Sequence, residues 1–348
     1  MWQIEVKAPT RVDLLGGTLD LWPLHYLLEN RATINLGVSI HARIRLSKSN
    51  SELFKIRSID QGIEVSGTYS EVLERHELSI ASNMLKYFWD KTLPPLECEL
   101  YAESPQGAGL GGSSSLAMCL AYALVVAKKQ LLDQEIPDEN RIVNTVQNIE
   151  TNLLGMPAGS QDHWGALRGK INAISYPFSG QVCETYDPEL FRGCDETLIL
   201  CYCGKSRFSG LNNWEIYKRF IDQDKKVVGI FTEIGALSLE AVSAVKTGNW
   251  DRVLHLSEKE WQLRKTISHG IETEETMLLD QESLRAGAYF SRVCGAGGGG
   301  VMAVFAPKKR RESVREALVK AGGKILDSRI TNYGLLAYFN GEIVSRPS

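Results

Sequence analysis

Hydrophobic positions along this chain recur with two periods, which divide it into strands and helices. Val38-Ser-Ile-His-Ala-Arg-Ile-Arg-Leu46 alternates apolar and polar residues, predicting a half-buried strand within Ala32–Leu46. Ile4–Lys7, Phe54–Thr68 and Leu96–Glu103 read as further strands. Arg11–Asp20 reads as a turn-rich segment leading to a short helix near Pro23–Leu28. At Ser79–Trp89 the period changes, with Ile80, Met84, Leu85 and Phe88 on one helical face. Asn140–Leu154 repeats this with Ile142, Val146, Ile149 and Leu153, between an expected cap at Asn140 and a stop at Gly155. Ser113–Lys129 predicts an apolar helix, and Met156–Asp162 a loop. Strands follow near Lys170–Tyr176 and Thr197–Tyr202, then helices from Trp214 to Ile267. A strand at Val301–Phe305, a helix at Lys308–Ala321 and a last strand at Leu335–Phe339 complete a mixed α+β order. No Pro/Ser-rich linker interrupts it, and a domain boundary is expected near Tyr176–Thr185.

Composition narrows the class. A chain of 348 residues buries a large core in one or two domains. Its net charge of −3 argues against a nucleic-acid partner, which requires a basic excess. The opening Met-Trp-Gln-Ile-Glu-Val lacks the charged and apolar regions of a signal peptide. Leu116–Ala127, the longest apolar run, is too short to span a bilayer, so no membrane partner is expected and a cytoplasmic location is. Seven cysteines, an odd number without Cys-x-x-Cys spacing, read as reduced thiols. Cys201 and Cys203 are expected on one face of a strand. The six histidines contain no His-x-x-x-His, which argues against a zinc site.

Chemistry concentrates in Pro105-Gln-Gly-Ala-Gly-Leu-Gly-Gly-Ser-Ser-Ser115, directly ahead of the apolar helix. Glycines let a backbone present several N–H groups to one point, and a helix start adds free N–H groups and a positive dipole end. The result is an anion cradle, and a serine hydroxyl there can reach a phosphate-bound metal. Gly107-x-Gly109-x-x-Gly112 and Gly295-x-Gly297-x-x-Gly300 both fit a dinucleotide fingerprint. That reading needs an acid ending a second strand, whereas Asp133 ends a helical pattern. A Walker A loop is excluded, because no Gly-Lys-Ser/Thr follows.

Taken whole, Ser104–Ser115 resembles the phosphate loop of the GHMP kinases, the family of galactokinase, homoserine kinase and mevalonate kinase. Ala8-Pro-Thr-Arg-Val-Asp-Leu-Leu-Gly-Gly-Thr-Leu-Asp20 and Val293-Cys-Gly-Ala-Gly-Gly-Gly-Gly-Val301 resemble two more of its motifs, in the same order. Within the family the likeness is to sugar kinases of the D-glycero-D-manno-heptose 7-phosphate kinase type. Glu150–Asp162, Gly204-Lys-Ser-Arg207 and Trp261–Ile271 carry that narrower resemblance. It implies a two-domain GHMP kinase fold, with a ribosomal protein S5 domain 2-like N-terminal domain (1–178) and a ferredoxin-like C-terminal domain (179–348). It also implies ATP and Mg²⁺ as cofactors, a sugar or sugar phosphate as substrate, phosphorylation at the anomeric hydroxyl, and a monomer or homodimer.

Residue roles follow from the same resemblance. Pro105, Gly107, Ala108, Gly109, Leu110, Gly111, Gly112, Ser113 and Ser114 would hold ATP, while Ser113 and Glu150 would ligate the metal. Asp162 would be the catalytic base, with Arg11 beside it. Gly17, Thr18, Asp20, Gly295, Ala296 and Gly297 would meet the substrate. Arg207 would bind a phosphate already on the substrate, and a surface charge at a helix start explains it equally well. Gly17-Thr18 departs from the galactokinase string, which argues against galactose. His163 stands where a Gln is common, and Arg292 where a Lys is. Two other readings stay open: a GHMP-type kinase or decarboxylase for a non-sugar alcohol such as mevalonate, and a non-catalytic binding protein of the same fold.

Overall fold

A computed structural model of the chain describes residues 2–29, 31–206 and 210–347, with only the backbone at 205–206 and 210–213. Its spine is a pair of long antiparallel strands, β1 (Gln3–Leu15) and β2 (Ala32–Lys48). β1 extends well past the expected Lys7. Arg11–Leu15 is strand, and the turn starts only at Gly16, where φ is 72°. The pairing register shifts beside Pro9, a place where a strand tolerates a residue without an N–H.

Around this pair, β3 (Phe54–Ser58), β4 (Ile63–Gly67), β5 (Leu96–Ala102), β6 (Ile171–Ser175) and β7 (Val182–Tyr186) build one large sheet. The stretch Phe54–Thr68, expected as strand, is a hairpin turning at Gly62 with φ 66°. A separate four-stranded sheet holds β8 (Leu198–Ser206), β9 (Phe290–Val293), β10 (Gly299–Phe305) and β11 (Lys324–Leu326), in the order β11-β8-β10-β9. β12 (Leu336–Phe339) then returns to β1 in the large sheet, and β13 (Glu342–Ser345) follows it, so Leu335–Phe339 is not the last strand. β6 and β7 form a hairpin across Tyr176–Thr185. The large sheet therefore draws strands from beyond residue 178.

Side-chain alternation assigns each strand face to a core. The first half of β1 (Ile4, Val6, Ala8) and the second half of β2 (Ala42, Ile44, Leu46) pack under the helices Ser79–Phe88 and Gly112–Leu132. Beyond the irregularity at Pro9, Val12 and Leu14 join Leu200, Ala303 and Leu256 in a second core shared with the small sheet. The opposite face of that sheet, with Cys201 and Cys203 together as expected, packs on Phe231, Leu279 and Leu318. The result is a two-domain α+β fold whose spine runs through both domains.

Gly112–Leu132 and Lys225–Lys246 reach the length and apolarity of a membrane span. The first is the core helix lying on β1 and β2. Glu274–Arg285 is a helix absent from the sequence reading; it opens on a capping box at Thr273 and is acidic in its first turn.

Candidate active site

The loop ahead of Gly112–Leu132 takes the left-handed turns that its glycines allow: φ is 65° at Gly107, 76° at Gly109 and 70° at Gly111. Gly111 occupies the N-cap, and no side chain caps the helix, so its first N–H groups remain available to an anion at the positive end of a 21-residue helix. The second glycine cluster packs directly on this loop. A Cβ on Gly109 would lie 2.2 Å from the Cys294 carbonyl oxygen, and one on Gly300 would lie 2.7 Å from that of Gly107. Val301 donates its N–H to Ala108 O at 2.9 Å. Glycine is required at this seam because backbone meets backbone.

The three serines have separate tasks. Ser115 Oγ donates to Pro9 O at 2.9 Å and ties the helix to β1. Ser114 Oγ donates to Glu150 Oε2 at 2.8 Å, and Ser113 Oγ lies 3.4 Å from Glu150 Oε1. Glu150 comes from the helix Glu139–Leu154, which is capped by Asp138 rather than by Asn140 and ends at Gly155 as expected. Nε2 of the fully buried His163 sits 2.6 Å from Glu150 Oε2, an ion pair when the imidazole is protonated. Burial alone would raise the Glu150 carboxyl, but the His163 charge and both serine hydroxyls outweigh it and hold it below the usual range. Burial likewise opposes charge on His163; Glu150 outweighs it and the imidazole is held above its ordinary value. Ser113 Oγ and Glu150 Oε1 give the cavity an all-oxygen donor pair, which suits Mg²⁺ completed by phosphate and water.

Asp162 does not lie in a loop as expected. It falls in the first turn of a helix, Gln161–Arg168. Arg11 reaches it from β1: Nε donates to Asp162 Oδ1 at 2.8 Å and Nη2 lies 2.6 Å from the same oxygen. Arg11 Nη1 also donates to Gly109 O at 2.6 Å, so one guanidinium joins the acid to the phosphate loop. Burial disfavours its charge, but Asp162 and Asp13 outweigh that and raise its pKa further. Gly165 gives Arg11 its room, since a Cβ there would stand 2.7 Å from Arg11 Cβ.

Asp20 ends the turn after β1 and is buried. Its Oδ2 accepts the Gln161 N–H at 3.0 Å, and a Cβ on Gly159 would stand 2.0 Å from that oxygen. Thr18 in the same turn has φ 74°, a conformation that non-glycine residues rarely adopt. Arg264, from the helix Trp250–Lys265, clamps it by donating to Gly17 O and, at 3.4 Å, to Thr18 Oγ1. Arg264 is held in turn by Glu260 at 2.9 Å, and Glu260 by Arg292 at 3.0 Å. Arg292 also donates to Asp13 Oδ2 at 3.0 Å, and Asp13 Oδ1 accepts the Gly295 N–H at 2.8 Å. A buried chain of charge thus links β1, β9, the second glycine cluster and the turn bearing Asp20.

Burial, reinforced by the nearby Asp162 charge, pushes the Asp20 carboxyl up to about 6 from 3.8. The fold therefore favours neutral Asp20. That preference costs nothing below about pH 4; above it the unfolded chain ionises first, so a destabilisation builds and is complete once pH has risen through 6. Asp20→Asn is expected to be more stable than wild type above pH 6, by up to about 3 kcal/mol, with the advantage vanishing near pH 4. Urea denaturation of both proteins at pH 4 and pH 7.5 measures it.

These groups face one cavity of about 630 Å³. Arg11, Gly17, Thr18, Asp20, Gly107, Gly109, Gly111, Ser113, Ser114, Glu150, Asp162, Gly295 and Ala296 all line it. Pro105, Ala108, Leu110, Gly112 and Gly297 are not among its lining residues. Ala108 and Leu110 turn their side chains into the second core, and Gly297 lies against Ile271. Arg207 lies outside the described residues. Gln161 lines the cavity beside Asp162, and Arg264 lines it without having been singled out from sequence. The Glu260–Arg264 spacing was a readable clue, because residues four apart share a helix face. His163 gave none, for its partner is in another helix.

An uncapped helix start, the Ser113–Glu150 oxygen pair and an arginine-held carboxylate meet in one cleft, a set of groups suited to phosphoryl transfer. Comparison with known proteins agrees. The model of the GHMP kinases N terminal domain matches residues 78–170, and that of the GHMP kinases C terminal domain matches residues 241–324. The chain belongs to the GHMP kinases, ATP-using enzymes that phosphorylate an alcohol group. It is similar to a D-glycero-alpha-D-manno-heptose 7-phosphate kinase of Campylobacter jejuni, 23% identical over 97% of this chain and 99% of the relative. It is also similar to a mevalonate kinase of Pyrococcus abyssi, 24% identical over 94% of this chain and 96% of the relative. Among solved structures, a D-glycero-D-manno-heptose 1-phosphate kinase from Bacteroides thetaiotaomicron superposes with a TM-score of 0.76, covering 96% of this chain and 98% of that one at 18% identity.

Proposed function

We propose that this protein transfers the γ-phosphoryl group of ATP to the anomeric hydroxyl of a sugar or sugar phosphate of the heptose 7-phosphate type. One observation carries the reading: Asp162, the Ser113–Glu150 pair and Asp20 face the same cavity beside an uncapped helix start. The loop N–H groups of 107–114 bind the phosphates. Ser113 and Glu150 would hold Mg²⁺, which would neutralise charge on the transferring phosphoryl group. Asp162 orients the acceptor hydroxyl and takes its proton. Arg11 fixes that carboxylate and places a cation where charge develops. Asp20 accepts hydrogen bonds from ring hydroxyls, the feature that favours a polyol over mevalonate, and the heptose-phosphate kinase relatives support the same choice.

ADP release in the presence of D-glycero-D-manno-heptose 7-phosphate, hexoses, 6-deoxyhexoses and mevalonate tests the assignment. Turnover of the heptose phosphate is expected, and mass spectrometry locates the new phosphate on the anomeric oxygen. Turnover of mevalonate alone contradicts it.

A further inference from the structure

Glu150 is reached by three side chains, and they divide its two oxygens unequally. Oε2 takes Ser114 Oγ at 2.8 Å and His163 Nε2 at 2.6 Å, while among the described residues Oε1 meets only Ser113 Oγ, at 3.4 Å. His163 is fully buried, and its Nδ1 has no hydrogen-bond partner among the described residues, so packing and Glu150 alone orient the ring. A glutamate side chain is long and loses much freedom when it is fixed. With Oε2 held by Ser114 and His163 together, the carboxylate is kept from turning, and Oε1 stays on the side of Ser113. We propose that His163 is a positioning residue that holds the Glu150 carboxylate so that Oε1 alone is presented to the cation beside Ser113. The proposal rests on reading Glu150 as a ligand of the nucleotide's cation. It adds that one short helix sets two parts of the site, because His163 follows Asp162 directly in Gln161–Arg168.

The test is binding of Mn²⁺ to the protein–ADP complex, read by electron paramagnetic resonance, alongside metal-free ADP binding by calorimetry. His163→Leu is expected to weaken Mn²⁺ about ten- to a hundredfold, as losing the outer partner of a metal-ligating side chain typically does. Metal-free ADP affinity is expected to stay unchanged, a separation that a general loss of structure would not produce. His163→Gln, whose amide N–H can reach Glu150, is expected to restore most of the Mn²⁺ affinity. Should His163→Leu not fold, His163→Asn, too short to reach, serves in its place. Glu150→Gln distinguishes the two levels. If it weakens Mn²⁺ while His163→Leu or His163→Asn binds as tightly as wild type, or more tightly, the positioning role is overturned. If Glu150→Gln itself leaves Mn²⁺ affinity intact, the reading of Glu150 fails and the proposal falls with it.

Discussion

Asp162→Asn is expected to lower phosphoryl transfer by about 10²- to 10⁴-fold, the usual contribution of a positioned general base, while Mg²⁺–ADP affinity stays near wild type. Asparagine matches aspartate in size, so packing against Gly111 and the start of Gln161–Arg168 is preserved. The loss is chemical. An amide cannot accept the hydroxyl proton, and if its NH₂ group turns toward Arg11, two donors face each other where Oδ1 now accepts from Nε at 2.8 Å. Measuring ADP release with the sugar identified by the substrate screen, and ADP binding by calorimetry, separates turnover from nucleotide affinity. Retained turnover would remove Asp162 from the proposed role.

Arg292→Leu is expected to cost about 3–5 kcal/mol of folding stability, read as a lower urea midpoint. The side chain is fully buried and contacts Leu14 O, Ser257, Glu260 and Asp13 at once. Removing it leaves two buried carboxylates short of a cation. Burial pushes the Asp13 carboxyl up, and Arg292 is the largest of the charges that together hold it below the ordinary range. Arg264 still pairs with Glu260, so the damage should centre on Asp13 and on the Gly295 N–H that it holds. Arg292→Lys keeps a charge but cannot fork to both acids, and should lose less. A Leu variant as stable as wild type would show that the network does not hold the domains together.

The parts of the site legible from sequence were those with local chemistry. Glycines and serines ahead of an apolar helix specify a phosphate loop within a dozen residues, and the helical spacing before Glu150 placed that residue on a helix. Arg11–Leu15 was misread as a turn, because Pro9 and the glycines at 16–17 mask a strand whose pairing with β2 is non-local. The helix bearing Asp162 was hidden by its start, where Ser160 makes no side-chain cap and Pro157 and Gly159 precede it. The long-range partners of Arg264 and His163 were hidden for a different reason. Arg264 meets Thr18 across 246 positions, and His163 meets a residue in a separate helix. Only tertiary packing brings such partners together. The expected boundary near residue 178 falls within a hairpin because β7 pairs back onto β6 in the large sheet instead of opening the small one.

A crystal structure with Mg²⁺ and a non-hydrolysable ATP analogue tests the central claim most directly. The triphosphate should run along the N–H groups of 107–114, with the metal between Ser113 Oγ and Glu150 Oε1 and the terminal phosphate facing Asp162 across the cavity. A nucleotide bound elsewhere, or a terminal phosphate turned away from Asp162, would contradict it.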